Sequence, residues 1–290
     1  MLSSSDIKIL IKDEALRIKK RLGQNFLVDK AYIDRIISAC SITKNDSVLE
    51  IGPGLGALTE NIAARCKKLV AVEYDKNLCP LLKKQFAACE NVEIICGSIL
   101  DHRLSPTGRL CLASHSTIDY RLKIIGNLPY YITSPIISYI IDNRKIIKEA
   151  FITVQKEVAQ RLVAKPGVKD YGSLSCFTQF YAEPKIKFFI PRKVFYPQPE
   201  VDSAFVNLVF SENPAVKVKD EKLFFKIINA AFNQRRKTLL NALSAAEMFN
   251  QDKKKVFKVL SDAEIDPQRR GETLSLEEFA KIEKVYENQD

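Results

Sequence analysis

The sequence predicts an α/β protein: an open, doubly wound parallel sheet followed by a small all-helical C-terminal domain. Three observations carry this. Between residues 47 and 164, short apolar runs alternate with segments of helical period, the pattern of crossover units that build a parallel sheet. The first of these runs stops at a cluster of glycines, after which the chain turns helical. Beyond Ser211-Glu-Asn-Pro the strand texture ends and every periodic segment is helical.

Taken in order, residues 29–40 place Ile33, Ile36, Ile37 and Cys40 at helical spacing behind Asp29, a side chain suited to an N-cap. Residues 47–52 read as a buried strand, 57–66 as a helix, 69–75 as a second strand, 77–87 as a helix and 92–97 as a third strand. A fourth strand covers 122–127 with a helix at 135–143 behind it. A fifth covers 150–155 and runs into a helix at 156–164. Residues 104–120 hold Ser, Pro, Thr and Gly with little apolar period and read as a loop. The proline-rich stretch 185–210 contains two apolar runs, 186–190 and 204–210, read as late strands. Helices follow at 221–233, 237–246, 253–260 and 276–288. The change of texture near 211–219 divides the chain into domains 1–212 and 213–290. The second is too short to hold a large core by itself.

Composition narrows the class. The chain has 290 residues, 46% of them hydrophobic, which excludes wholesale disorder. No apolar run approaches the ~18 residues of a membrane helix. The N-terminal twenty residues scatter charges through their apolar positions, unlike a signal peptide. Seven Cys (40, 66, 79, 89, 96, 111 and 176) form no C-x-x-C pair, and there are two His. That argues against a metal site and for buried, reduced thiols in a cytoplasmic protein. The 45 basic against 35 acidic residues give a net charge of +10. The surplus fits either a polyanionic partner or a merely basic surface.

The glycine cluster is Glu50-Ile-Gly52-Pro-Gly54-Leu-Gly56-Ala57. Glycines between a strand and a helix let the backbone turn tightly and approach a ligand. Glu73 ends the next strand, about 20 residues after Gly52, where a carboxylate accepts both hydroxyls of a ribose. The pair points to a nucleoside-bearing cofactor. The string also satisfies the dinucleotide pattern G-x-G-x-x-A. Two details favour S-adenosylmethionine instead: the close third glycine, and Glu50 two residues before the first. A pyrophosphate disfavours a carboxylate there, whereas an ammonium and a sulfonium welcome one. Glu50 reads otherwise as a local cap.

Asn127-Leu128-Pro129-Tyr130 ends the fourth strand, on the sheet edge that also carries the glycine loop. An aromatic amine is a weak nucleophile, because its lone pair is delocalised into the ring. Methylating it calls for acceptors that take its N–H bonds and hold the nitrogen towards tetrahedral geometry. The Asn127 side-chain oxygen and the Leu128 carbonyl are suited to this. Pro129 fixes the backbone, and Tyr130 offers a face for an extruded base.

With these motifs in place, the chain resembles the ribosomal RNA adenine dimethyltransferases, the KsgA/RsmA family of small-subunit enzymes, with the Erm resistance methylases as relatives. The likeness runs from about Lys19 to about Leu274. It rests on Gly23-Gln-Asn-Phe-Leu27, residues 50–59, 70–75 and 126–130, Gln155-Lys-Glu-Val-Ala-Gln-Arg161, Phe195-Tyr-Pro-Gln-Pro-Glu-Val-Asp-Ser203, Asn233-Gln-Arg-Arg-Lys-Thr-Leu239 and Arg270-Gly-Glu-Thr-Leu-Ser275. The resemblance implies a Rossmann-like S-adenosylmethionine methyltransferase sheet and a helical rRNA-docking domain. It implies that Gln24, Asn25 and Leu27 contact the cofactor, that Gly52 and Gly54 hold its methionine part, and that Glu73 takes the ribose. Asn127, at the junction of cofactor and target, holds the amine with Leu128, while Tyr130 and Phe195 sandwich the adenine. Phe195 reads otherwise as a core aromatic beside a proline turn. Where the family has Gly-Asp after the third strand, this chain has Gly97-Ser98. Either Ser98 or Asp101 is then left to meet the cofactor's adenine.

The implied reaction is dimethylation of two adjacent adenines in a small-subunit rRNA hairpin loop, within a preribosomal particle and by a monomer. Lys19, Lys20 and Arg21 form one basic cluster and Arg235, Arg236 and Lys237 a second; each reads as an RNA contact or as a solvated face. The competing readings are the large-subunit resistance branch, a non-catalytic nucleic-acid-binding relative, and a nicotinamide dehydrogenase.

Overall fold

The computed structural model describes residues 23–102, 104 and 122–288. The basic cluster Lys19, Lys20 and Arg21 lies outside the described residues, as does the expected loop at 104–120 apart from Leu104. The chain divides into two compact units, one from Met1–Ala159 and Lys185–Phe210, the other from Gln160–Pro184 and Ser211–Asp290.

In the first unit, strand β1 (Phe26–Leu27) precedes helix α1 (Lys30–Ala39). Asp29 caps α1, its carboxylate accepting from the Tyr32 amide at 3.1 Å, and Ile33, Ile36 and Ile37 are buried as their spacing foretells. Then come β2 (Ser47–Ile51), α2 (Thr59–Ala63), β3 (Lys68–Glu73), α3 (Cys79–Gln85), β4 (Val92–Cys96), β5 (Leu122–Asn127), α4 (Thr133–Asp142) and β6 (Ile147–Gln155). Helix α5 (Lys156–Val163) leads the chain into the second unit, where α6 (Ser173–Tyr181) forms. Strand β7 (Ala182–Ile190) returns it to the first unit, followed by β8 (Phe195–Tyr196) and β9 (Ser203–Phe210).

The main sheet runs β4-β3-β2-β5-β6-β9-β7. Strands β4, β3, β2, β5 and β6 are parallel, and β9 joins antiparallel to β6. Every residue of β2 is buried, as expected of a central strand covered on both faces. After β2 the chain moves outwards through β3 and β4, then crosses to β5 on the other side of β2. The carboxyl ends of β2 and β5 therefore flank a topological switch point, where such sheets open a crevice.

The second unit contains α7 (Glu221–Asn233), α8 (Leu239–Ser244), α9 (Lys253–Asp262) and α10 (Leu276–Glu287). The expected division at 212 assigned residues 160–184 to the first domain, whereas they belong to this unit. Aromatic packing is the reason. The Phe180 ring lies 5.0 Å from that of Phe224 and 5.2 Å from that of Phe225, and the Tyr181 hydroxyl donates to Glu221 at 2.6 Å. Helix α6 was not foreseen, because its apolar positions have no partner in the local sequence.

A second correction concerns the cysteines. Cys79 and Cys96 form a disulfide, so the seven thiols are not all reduced. Strand register sets Cys96 opposite Glu73, and Cys79 opens the helix that follows. The two Cα atoms are 5.9 Å apart, within bridging range. Cys40 and Cys176 are free and buried, and burial pushes each thiol up to about 12. Among the described residues, no helix is long and apolar enough to cross a membrane.

Candidate active site

A cavity of about 730 Å³ opens at the switch point, entirely within the first unit. One wall is the glycine loop between β2 and α2. Gly52 and Gly54 have φ of +71° and +60°, which L side chains rarely adopt, and a Cβ on Gly54 would sit 3.1 Å from the Phe26 ring. Helix α2 starts at Thr59, and both the loop and the start of that helix, through Leu58 and Glu60, line the cavity.

Glu73, at the end of β3, lines the cavity and is also bonded within the protein. Its Oε2 accepts from the Gly54 amide at 3.0 Å and its Oε1 from the Asp75 amide at 2.7 Å. It thereby fixes the glycine loop, and each oxygen keeps a further acceptor position. Burial raises its carboxyl above the usual range, against the pull of those two amides. Asp75 accepts from the Gln24 amide nitrogen at 2.7 Å, which ties the segment before β1 to the end of β3.

Glu50 is 1% exposed and lies on the cavity wall. Burial, opposed by the Thr59 hydroxyl and reinforced by the Glu73 charge, pushes its carboxyl up to about 8. Its Oε2 has no hydrogen-bond partner among the described residues. A buried carboxylate oxygen without a donor is costly, and a cationic ligand group supplies what it lacks. The ammonium of S-adenosylmethionine fits this position, and a pyrophosphate does not.

On the opposite wall, β5 delivers Asn127. Its Nδ2 donates to the Asn25 carbonyl at 2.9 Å. That bond turns Oδ1 the other way, where it has no donor among the described residues. The Leu128 amide donates to the Thr153 carbonyl at 3.1 Å, anchoring the turn to β6. The Tyr130 hydroxyl shares a 2.7 Å hydrogen bond with Ser203 Oγ at the start of β9. Ser203 ends the proline-rich string noted in the sequence, which gave it no role of its own.

Gln24, Asn25, Leu27, Gly52, Gly54, Glu73, Asn127, Leu128, Pro129 and Tyr130 all line the cavity. Phe195 and Ser98 do not. Phe195 is 3% exposed, paired in register with Leu27 and packed with Val194 and Phe205 in the core. The core-aromatic reading describes it. Ser98 Oγ instead accepts from the Leu100 amide at 3.2 Å, capping a short turn, and Asp101 is exposed. Leu78 and Phe86, unmarked by any motif, also line the cavity, as do Phe26 and Tyr74, which sit inside motifs but were given no role.

In the second unit, Arg235 is already engaged. Its Nη2 donates to the carbonyls of Lys169 at 2.6 Å and Tyr171 at 3.0 Å and pairs with Glu272 at 3.1 Å. It stitches that unit together while its side chain stays 45% exposed. Arg236 and Lys237 are exposed.

The family model for ribosomal RNA adenine dimethylases matches residues 15–282. The chain is 46% identical over 283 residues to the ribosomal RNA small subunit methyltransferase A of Pelotomaculum thermopropionicum, covering 97% of this chain and 95% of that protein. It is 44% identical over 282 residues to the protein of the same name from Moorella thermoacetica, covering 96% of each. Its fold is that of a dimethyladenosine transferase from Plasmodium falciparum, with a TM-score of 0.75 at 24% identity over 91% of this chain and 98% of that one. The 23S rRNA methyltransferase ErmE gives a TM-score of 0.67 at 22% identity, over 91% of this chain and 100% of that one.

Proposed function

This chain belongs to the ribosomal RNA adenine dimethylase family, and from that premise we propose how its site works and which adenines it modifies. It is an S-adenosylmethionine-dependent rRNA adenine dimethyltransferase. The dehydrogenase reading of the glycine loop is set aside. The substrate we assign is a pair of adjacent adenines in a small-subunit rRNA hairpin loop, presented in a preribosomal particle to a monomeric, cytoplasmic enzyme. The names of the relatives support the small-subunit branch, and the cytoplasmic location follows from that substrate rather than from the thiols.

The bound cofactor supplies an electrophilic methyl group on its sulfonium. The protein's residues do the rest. Glu50 would hold the cofactor's ammonium and Glu73 its ribose hydroxyls. The Asn127 Oδ1 and the Leu128 carbonyl accept the two N–H bonds of the target amine. Tyr130, steadied by Ser203, gives the extruded base a face. No strong general base is needed, since the proton leaves after the nitrogen has become cationic. A second round requires only that the site admit a monomethylated amine.

The observation that carries this reading is the bond from Asn127 Nδ2 to the Asn25 carbonyl. It preselects the amide orientation that presents an acceptor. The test is methyl transfer from labelled cofactor to small subunits that lack the modification, followed by mapping of the modified base. Dimethyladenine at two neighbouring positions is expected; label on another base, or on large-subunit rRNA alone, defeats the assignment.

A further inference from the structure

Helix α9 carries a surface that the fold of its unit does not use. Val256, Val259 and Leu260 are fully buried and supply its core side. Its opposite side exposes Lys253, Lys254, Phe257, Lys258 and Ser261, which share one arc at 100° per residue. Phe257 is 54% exposed, as much as any large hydrophobic side chain among the described residues. Lys253, Lys254 and Lys258 have no ion pair among the described residues. The nearest acid in sequence, Asp252, is occupied as the N-cap, accepting from the amides of Lys254 at 2.8 Å and Lys255 at 3.0 Å.

We propose that this face of α9 is an RNA-docking surface, in which Lys253, Lys254 and Lys258 contact phosphates and Phe257 stacks on an unpaired base. The inference rests on the rRNA reading above and adds a second surface to the exposed Arg235, Arg236 and Lys237 of the same unit. Unpaired lysines beside an exposed aromatic ring are the combination that binds single-stranded or loop nucleic acid, the charges following the backbone and the ring taking a base. A membrane surface fits poorly. The apolar side of α9 is already buried, and one phenylalanine does not make an insertion face. An acidic protein would use the lysines but leaves the ring unexplained.

The experiment uses the full chain and two probes, protein-free small-subunit rRNA and isolated small-subunit proteins. Affinity is measured across a salt series for the wild type, for Phe257→Ala, for Phe257→Tyr and for the combined Lys253→Ala, Lys254→Ala and Lys258→Ala variant. Loss of three phosphate contacts is expected to lower the slope of log affinity against log salt by about 2. Phe257→Ala is expected to weaken rRNA binding roughly tenfold, and Phe257→Tyr to retain it. Cofactor affinity and the thermal midpoint are expected to stay at wild-type values, which excludes misfolding. Unchanged affinity and slope in both α9 variants would overturn the proposal. So would a loss confined to the ribosomal proteins. Methylation separates this from the underlying reading: a wild type that never modifies adenine sinks the rRNA reading, whereas an active wild type with indifferent α9 variants sinks only the α9 surface.

Discussion

Two ends of one sheet treat buried charge in opposite ways. At the amino end, Lys123 is buried in β5 and its Nζ meets four oxygens. It donates to the Cys40 and Ser41 carbonyls at 3.1 and 2.8 Å, and pairs with Asp46 at 3.3 Å and Glu149 at 3.4 Å. At the carboxyl end, Glu50 is equally buried in the neighbouring strand but keeps an oxygen with no partner among the described residues. Charge that is satisfied within the protein fixes the fold. A buried carboxyl left unsatisfied at a cavity wall is reserved for a ligand that would favour its ionised form. The same distinction separates Asn127, one end of whose amide is bound and the other open, from the buried Phe195 core.

The largest break in this comparison is expected from Lys123→Ala. It strands two carboxylates in a largely enclosed site and should cost about 3–5 kcal/mol in a denaturant titration. Cofactor affinity of the folded fraction should stay unchanged; a weakened cofactor site would mean that the two ends are not separate. Glu50→Gln should do the reverse. Cofactor binding is expected to weaken roughly tenfold, the equivalent of one unit of pKa coupling, while the ligand-free protein becomes more stable at alkaline pH. The sign follows from linkage. A carboxyl whose folded pKa is raised to about 8 destabilises the fold progressively as pH rises from its ordinary range through that value. The loss should therefore be present in the wild type and absent in Glu50→Gln. A cationic ligand favours the ionised form, so wild-type cofactor affinity should rise through the same window. Urea melts and calorimetry at pH 6 and 9 check both. The smallest effect is expected from Ser203→Ala, which frees the Tyr130 hydroxyl. It should lower kcat/KM for RNA about fivefold, the equivalent of one lost hydrogen bond. The KM for cofactor should not move.

The parts of the site that sequence made legible lie at strand ends as contiguous motifs: Gly52 and Gly54, Glu73, and Asn127 to Tyr130. Local pattern suffices there because turn chemistry and strand edge coincide. What escaped depends on distance in the chain. The Gln24–Asp75 and Asn25–Asn127 bonds join segments far apart in sequence, and nothing local marks them. Lys123 reads as a stray charge in a strand until register sets it opposite Glu149. Phe195 was expected to sandwich the adenine, but its pairing with Leu27 places it in the core. The bonds of Arg235 to the Lys169 and Tyr171 carbonyls likewise join distant segments and leave no local trace. The domain boundary shifted because aromatic packing recruits residues 160–184, and packing between segments leaves no periodic trace.

The central claim is that Asn127 acts on the target amine rather than as a support for the cofactor. Single-turnover methyl transfer by wild type and Asn127→Ala, paired with cofactor Kd for both, tests it most directly. The rate is expected to fall about a hundredfold or more, as when one preorganised polar contact to a reacting centre is removed, with Kd changing less than about threefold. An unaltered rate, or a Kd that rises in step with the lost rate, would contradict the account.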